Sequence, residues 1–249
     1  MSGNGRPSHH GDMVIPPFYG TGDMLSWNTE NLLSKIDRTE LCSRFQRHRP
    51  DAEFQSLSAE IENLSRRIVD EESITPRGYY SFFSVIVEGD RLIVLDASDF
   101  HTELASLYLP SNGLNDQGGL TAYVRPEGAT VGFIAVTLGP ALARAKEFAA
   151  GGTASLIKEI ADYLVEYLVR RTAVEIRRAL FLPAKQGGTY AVGSPELPAE
   201  ANAAAVAHLV CAEDRLGIIV SPEGTLHPPA SRLSLYLPYG PERIKSVLK

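Results

Sequence analysis

The sequence contains little cysteine, no long apolar run and no excess of positive charge. Its 249 residues include two cysteines, Cys42 and Cys211, which lie far apart, so a disulfide scaffold and a paired-cysteine zinc site are excluded. The longest apolar run is far shorter than the roughly 20 residues of a membrane-spanning helix. With 24 Lys and Arg against 30 Asp and Glu, the net charge is −6, which argues against a general nucleic-acid-binding protein. We therefore predict a soluble globular protein that binds neither nucleic acid nor membranes.

The sequence also lacks the motifs of the common enzyme classes. No G-x-G-x-x-G segment follows a strand, no phosphate-binding loop ends in Gly-Lys-Ser/Thr, and no serine lies in a nucleophile elbow. The histidines His101, His208 and His227 are scattered, which is typical of core or surface histidines. We predict neither a catalytic acid–base residue nor a metal site. Residues 1–13 are polar, so we expect a flexible tail without a secretion signal and a cytoplasmic protein.

Apolar residues recur at helical spacing in several segments. The clearest is 54–72, where Leu57, Ile61, Leu64 and Ile68 are separated by four, three and four positions and form one helix face. Helices are predicted from a cap at Asn28 onward and over 38–46, 54–72, 139–150, 153–182, 199–212 and 241–248.

Aromatic and β-branched residues mark the predicted strands. Segments 79–87 and 91–95 flank a Gly89-Asp90 turn and predict a β-hairpin. Further strands are predicted at 120–124, 130–138, 217–220 and 232–237, loops at 112–119 and 184–198, and either a strand or a helical turn at 104–109. Because strands come in blocks separated by helices, we predict an α+β fold with a mostly antiparallel sheet flanked by helices.

Two local patterns leave their chemistry open. Gly151-Gly152-Thr153 precedes the longest predicted helix, where it either holds an anion or simply breaks one helix before Thr153 caps the next. Asp162 and Glu166 lie four residues apart on one face of that helix, a spacing that suits acid–base work, a cationic ligand or a solvated surface. The residues alone do not choose between these functions.

Four segments, taken in order, resemble a known family. They are Pro16-Pro17-Phe18-Tyr19-Gly20-Thr21, then Ile74-Thr75-Pro76-Arg77-Gly78 before an aromatic strand, Val131-Gly132-Phe133-Ile134-Ala135-Val136-Thr137 and the helix 160–168. The aromatic strand is followed by the Glu88-Gly89-Asp90 turn, which also matches. This order resembles the S-adenosylmethionine (AdoMet)-binding reactivation domain of cobalamin-dependent methionine synthase.

The resemblance implies both a fold and an activity. The expected fold is a C-shaped α+β single domain over 14–249 with a twisted antiparallel sheet. In the family, AdoMet binds near a central groove and its methyl group restores cobalamin carried by a neighbouring domain. The family's homocysteine, folate and cobalamin modules have no counterpart in this sequence. The resemblance therefore implies a stand-alone reactivation subunit with AdoMet as cofactor and a cobalamin-binding domain of a methionine synthase or corrinoid protein as partner.

The resemblance also implies site residues. The family's loop Arg-Pro-x-x-Gly-Tyr-Pro corresponds to 189–195, where Gly193 and Pro195 match but Thr189 replaces the arginine and Ser194 the tyrosine. Four residues are implied in AdoMet binding: Asp162 for the cationic or amino part, Tyr236 for the adenosyl side, and the loop residues Gly193 and Pro195. Two other functions stay open, namely a docking module of a split methionine synthase that no longer binds AdoMet, and a groove that binds another small ligand.

Overall fold

A computed structural model describes residues 14–20, 22–46, 53–111, 119–125, 128–142 and 152–240. The predicted tail 1–13, the helix 241–248, and most of the loop 112–119 and of the helix 139–150 lie outside the described residues. No helix in the described part of the chain is both long enough and apolar enough to cross a bilayer.

The strands and helices follow one another in blocks. The strands are β1 Gly22–Ser26, β2 Arg77–Glu88, β3 Arg91–Leu95, β4 Glu103–Tyr108, β5 Ala129–Thr137, β6 Gly188–Ala191, β7 Ile219–Val220, β8 Leu226–His227 and β9 Ser231–Leu237. The helices are α1 Thr29–Leu33, α2 Arg38–Gln46, α3 Phe54–Asp70, α4 Gly152–Ala179, α5 Ala199–Leu209 and α6 Ala212–Leu216.

Seven of the strands form one antiparallel sheet. Its order is β4-β3-β2-β5-β9-β6, and β1 pairs with the first half of β2. The twelve-residue β2 is long enough to pair with β1 through its start and with β3 through its end, on the same side. Strands β7 and β8 form a separate antiparallel pair. The predicted α+β fold with an antiparallel sheet flanked by helices is confirmed.

Helices cover both faces of this sheet. Strand β5 is buried along its whole length, and its residues alternate between the two faces. Ile134 and Val136 pack with α1 to α4, on what we call the α4 face. Phe133 and Ala135 pack with α5 and α6, on the α5 face. The sheet therefore separates two hydrophobic cores.

The helix α3 forms as its apolar spacing predicts. All four residues of the stripe, Leu57, Ile61, Leu64 and Ile68, are buried in the core of the α4 face. Asn28 caps α1 as predicted, because its side-chain Oδ1 accepts a hydrogen bond from the Asn31 amide at 2.8 Å.

Three local predictions were wrong. Residues 120–124 form a 3₁₀ helix, Leu120–Tyr123, because a tight turn buries both Leu120 and Val124 on the α5 face. The predicted loop 184–198 contains β6, which extends the sheet beyond β9. Thr153 lies inside α4 rather than capping it, and its hydroxyl donates to a carboxylate oxygen of Glu60 at 3.4 Å.

Other boundaries were resolved or shortened. The segment 104–109, left open between strand and helix, is the strand β4. The predicted helix 199–212 ends at Leu209, and the predicted strand 217–220 is reduced to Ile219–Val220.

Candidate functional site

Tyr236 lies at the centre of the contact between α4 and the sheet. It is wholly buried on β9, opposite Gly132 of β5 and Thr189 of β6, and it packs in the core of the α4 face. A Cβ atom at Gly132 would lie 3.3 Å from Cδ1 of Ile176 and 3.4 Å from Cβ of Tyr236. The glycine therefore lets α4 approach the sheet closely beside Tyr236.

The Tyr236 hydroxyl is fixed by the connection between α4 and β6. It donates a hydrogen bond to the carbonyl of Gln186 at 2.8 Å. Gly187 has a φ of +87°, and a Cβ atom there would overlap the hydroxyl oxygen and lie 2.5 Å from Cζ of Tyr236. Burial raises the pKa of Tyr236 to about 12, although the Arg177 guanidinium acts in the opposite direction. The hydroxyl is therefore protonated at neutral pH.

Arg177 brings a positive charge to this end of the sheet. It lies in the last turn of α4, is half-buried, and reaches the Tyr236 hydroxyl with its charge and a hydrogen bond. Two neighbours on α4 differ, since Arg170 and Arg178 each form an ion pair with a glutamate of the same helix. Within the described residues, Arg177 forms no ion pair with a carboxylate.

Gly193 and Pro195 lie in one exposed turn after β6. Gly193 has a φ of +97°, which favours glycine, and its amide donates to the Leu197 carbonyl at 2.7 Å. Between them, Ser194 is buried and its hydroxyl has no hydrogen-bond partner. The turn leads into α5, because a Cβ atom at Gly193 would lie 3.9 Å from Cβ of Ala199.

Asp162 lies on α4 but far from Tyr236. Its half-buried carboxylate pairs with Nζ of Lys158 at 2.5 Å, and this hydrogen bond is the main cause of the raised pKa of Lys158. Fifteen residues separate Asp162 from Arg177, which corresponds to about 22 Å along the helix. The structure therefore brings Gly193 and Pro195 together, and it keeps Asp162 and Tyr236 apart.

The predicted carboxylate pair on α4 is neutralised. While Asp162 pairs with Lys158, Glu166 contacts Arg170 and the buried Arg44, the latter at 3.0 Å. Both carboxylates thus have basic partners, which favours a structural function over acid–base work.

Sequence reasoning missed Arg177, Gln186 and Gly187. The Gly187-Gly188 doublet was the available signal, since paired glycines beside a strand often mark a close approach of the backbone. Nothing in the sequence indicated that the last turn of α4 lies against Tyr236, because that contact depends on tertiary packing.

Comparisons with known proteins give a structural match. The structure is similar to the crystal structure of the MetH reactivation domain bound to AdoHcy, with a TM-score of 0.76 and 18% sequence identity. The match covers 95% of this chain and 84% of that chain. No family model matches the sequence, and no curated protein matches it. The chain therefore has the fold of the MetH reactivation domain.

Proposed function

We propose that this chain is a stand-alone reactivation subunit of a cobalamin-dependent methionine synthase or related corrinoid methyltransferase. The observation that carries the proposal is the fold likeness over 95% of the chain to a domain with bound AdoHcy. AdoHcy is what remains of AdoMet after its methyl group has been transferred. A fold retained over this length favours retention of its groove, although function is decided by the site residues.

The described residues offer fitting contacts for AdoMet. The buried hydroxyl of Ser194 has no partner, and a ligand hydrogen bond would satisfy it. The exposed backbone at Gly193 and Pro195 allows close approach of a ligand. Tyr236 forms a rigid wall held by its hydrogen bond to Gln186. Asp162 stays a predicted contact for the cationic part of the ligand, and Lys158 would have to release it.

In this proposal the chain's own work is positioning. AdoMet, when bound, supplies an electrophilic methyl group. The residues of the groove hold it in line with the cobalamin of a partner protein and exclude water. Methyl transfer to cobalamin moves no proton, which is compatible with the lack of an evident acid–base residue in the sequence.

Thr189 favours a second function, that of a docking module without AdoMet. A threonine offers a single hydroxyl where the family has an arginine that grips a carboxylate with two hydrogen bonds. Loss of such a contact costs about 2 kcal/mol, which is tens-fold in affinity. A module of this kind would cover the cobalamin domain of a split methionine synthase and would transfer nothing.

A complementation assay tests the proposal against this alternative. The purified chain is added to a cobalamin-dependent methionine synthase fragment that lacks its own reactivation domain, together with AdoMet and a reductant. We expect the absorbance of oxidised cobalamin to give way to that of methylcobalamin only when the chain and AdoMet are both present. Binding to the fragment without methyl transfer would favour the docking module instead.

A variant at Tyr236 sharpens this assay. Tyr236→Ala opens a cavity in the core, which costs about 3–5 kcal/mol and confounds a loss of activity with unfolding. Tyr236→Phe keeps the ring and removes only the hydrogen bond to Gln186. We expect Tyr236→Phe to remain folded and to transfer the methyl group more slowly. An unchanged rate would remove the hydroxyl from the site.

A further inference from the structure

A half-buried guanidinium without an acidic partner is the least explained charge at the end of α4. Arg177 lies one residue after Ile176, which packs over Gly132 beside Tyr236. An arginine in this position carries five N–H donors and is always charged. The Tyr236 hydroxyl can satisfy one of these donors. No carboxylate of the described residues neutralises the charge.

The surroundings of Arg177 fix its orientation. The proton of the Tyr236 hydroxyl goes to the Gln186 carbonyl at 2.8 Å, so the oxygen faces Arg177 as an acceptor. This hydroxyl anchors the guanidinium and leaves its other N–H groups for a ligand. Because the long side chain is held at one point, less side-chain entropy is lost when an anion binds.

Strand β6 leaves room beside this guanidinium. Thr189 lies directly opposite Tyr236 in the pairing of β6 with β9, so its side chain is on the same face of the sheet and is half-buried. The two residues before it, Gly187 and Gly188, carry no side chains. A small anion at this point would meet the planar fork of Arg177 and the hydroxyl of Thr189.

We infer that Arg177 is a binding residue for the carboxylate of the ligand. The planar fork of arginine matches a carboxylate with two parallel hydrogen bonds. The inference rests on the proposed function, since the ligand is then AdoMet or AdoHcy and the carboxylate is that of its amino-acid end. It places this end beside Tyr236, the reverse of the orientation that the resemblance implies. Asp162, about 22 Å away along α4, cannot contact the same amino-acid end.

Two ligands separate this role from a structural one. AdoHcy carries the carboxylate, and 5′-methylthioadenosine has the same adenosyl thioether without it. Calorimetric titration of both ligands gives the affinity ratio for each protein variant. We expect Arg177→Gln to weaken AdoHcy binding by about 10- to 100-fold and to leave the affinity for 5′-methylthioadenosine within about threefold. Arg177→Lys keeps the charge without the fork and should recover part of the loss.

Matched controls exclude an effect of net charge. Arg178→Gln removes the same charge from the neighbouring residue, which is exposed and pairs with Glu175 at 2.8 Å. Asp162→Asn removes the carboxylate that the resemblance implies in binding. We expect both controls to keep the AdoHcy affinity of the unsubstituted protein.

The outcomes are distinct. Equal weakening of both ligands by Arg177→Gln, or no weakening, overturns the inference and leaves the proposed function standing. Weakening of AdoHcy by Asp162→Asn with no effect of Arg177→Gln also overturns it. Failure of the unsubstituted protein to bind either ligand overturns the inference and the AdoMet-dependent function together.

Discussion

Replacing Gly187 with alanine tests the packing that holds Tyr236 in place. Gly187 has a φ of +87°, where a side chain costs about 1–2 kcal/mol. The added Cβ would overlap the Tyr236 hydroxyl oxygen and lie 2.5 Å from Cζ, so the ring must move. The movement breaks the buried hydrogen bond to Gln186, which costs about 1–3 kcal/mol more. We therefore expect a loss of about 3–5 kcal/mol in the free energy of unfolding.

Gly89→Ala is the matched control for this change. Gly89 has a φ of +61° in the turn between β2 and β3, and a Cβ atom there would meet nothing within 4 Å. We expect it to cost only the backbone strain of about 1 kcal/mol. Urea denaturation measures both variants, and Tyr236→Phe should relieve part of the Gly187→Ala cost in a double-mutant cycle. Equal losses for the two glycine variants would refute the packing described at Tyr236.

Three further predictions concern stability. Phe181 has a φ of 53° and is 94% exposed at the end of α4, so Phe181→Gly should raise the free energy of unfolding by about 1 kcal/mol; a decrease in denaturation experiments would contradict this. Arg44 is buried between two carboxylates, so Arg44→Met should cost about 3 kcal/mol, whereas the exposed Arg66→Met should cost less than about 1 kcal/mol; similar losses on urea denaturation would count against the buried pair. The hydrogen bonds from Thr102, helped by the His101 amide, lower the pKa of Asp99 to about 2, so its contribution is present above about pH 4 and is lost as the pH falls to about 2. Asp99→Ala should therefore destabilise the protein at pH 7 but not at pH 2, and a pH-independent difference would exclude this linkage.

Regular patterns in the sequence predicted most of the fold. The stripe of α3 and the apolar run of β5 each bury what their periodicity indicates, because burial follows directly from the repeat of a helix or a strand. The hairpin of β2 and β3 was equally clear, since Gly89-Asp90 lies between two aromatic or β-branched runs. These elements carry their own local signal.

The elements that were missed depend on distant partners. Strand β6 holds one buried aromatic residue, Tyr190, among glycine, threonine and alanine, and it becomes a strand by pairing with β9. The run beginning at Leu120 is apolar but closes as a 3₁₀ helix, because a tight turn buries its side chains without a strand partner. Short apolar runs do not distinguish these conformations.

The candidate site divides in the same way. The positions of Gly193, Pro195 and Tyr236 followed from segments that resemble a known loop and strand. The contact of Arg177 with Tyr236 was not predictable, since it depends on how far α4 extends across the sheet. The distance of Asp162 from Tyr236 has the same cause, because one helix carries Asp162 and Arg177 about 22 Å apart.

Calorimetric titration of the unsubstituted protein with AdoMet tests the central claim most directly. AdoHcy is titrated alongside it, because it lacks the methyl group and keeps the rest of the ligand. We predict saturable binding of both ligands at micromolar concentration, with one site per chain. No heat and no thermal stabilisation at millimolar ligand would contradict the AdoMet-dependent function.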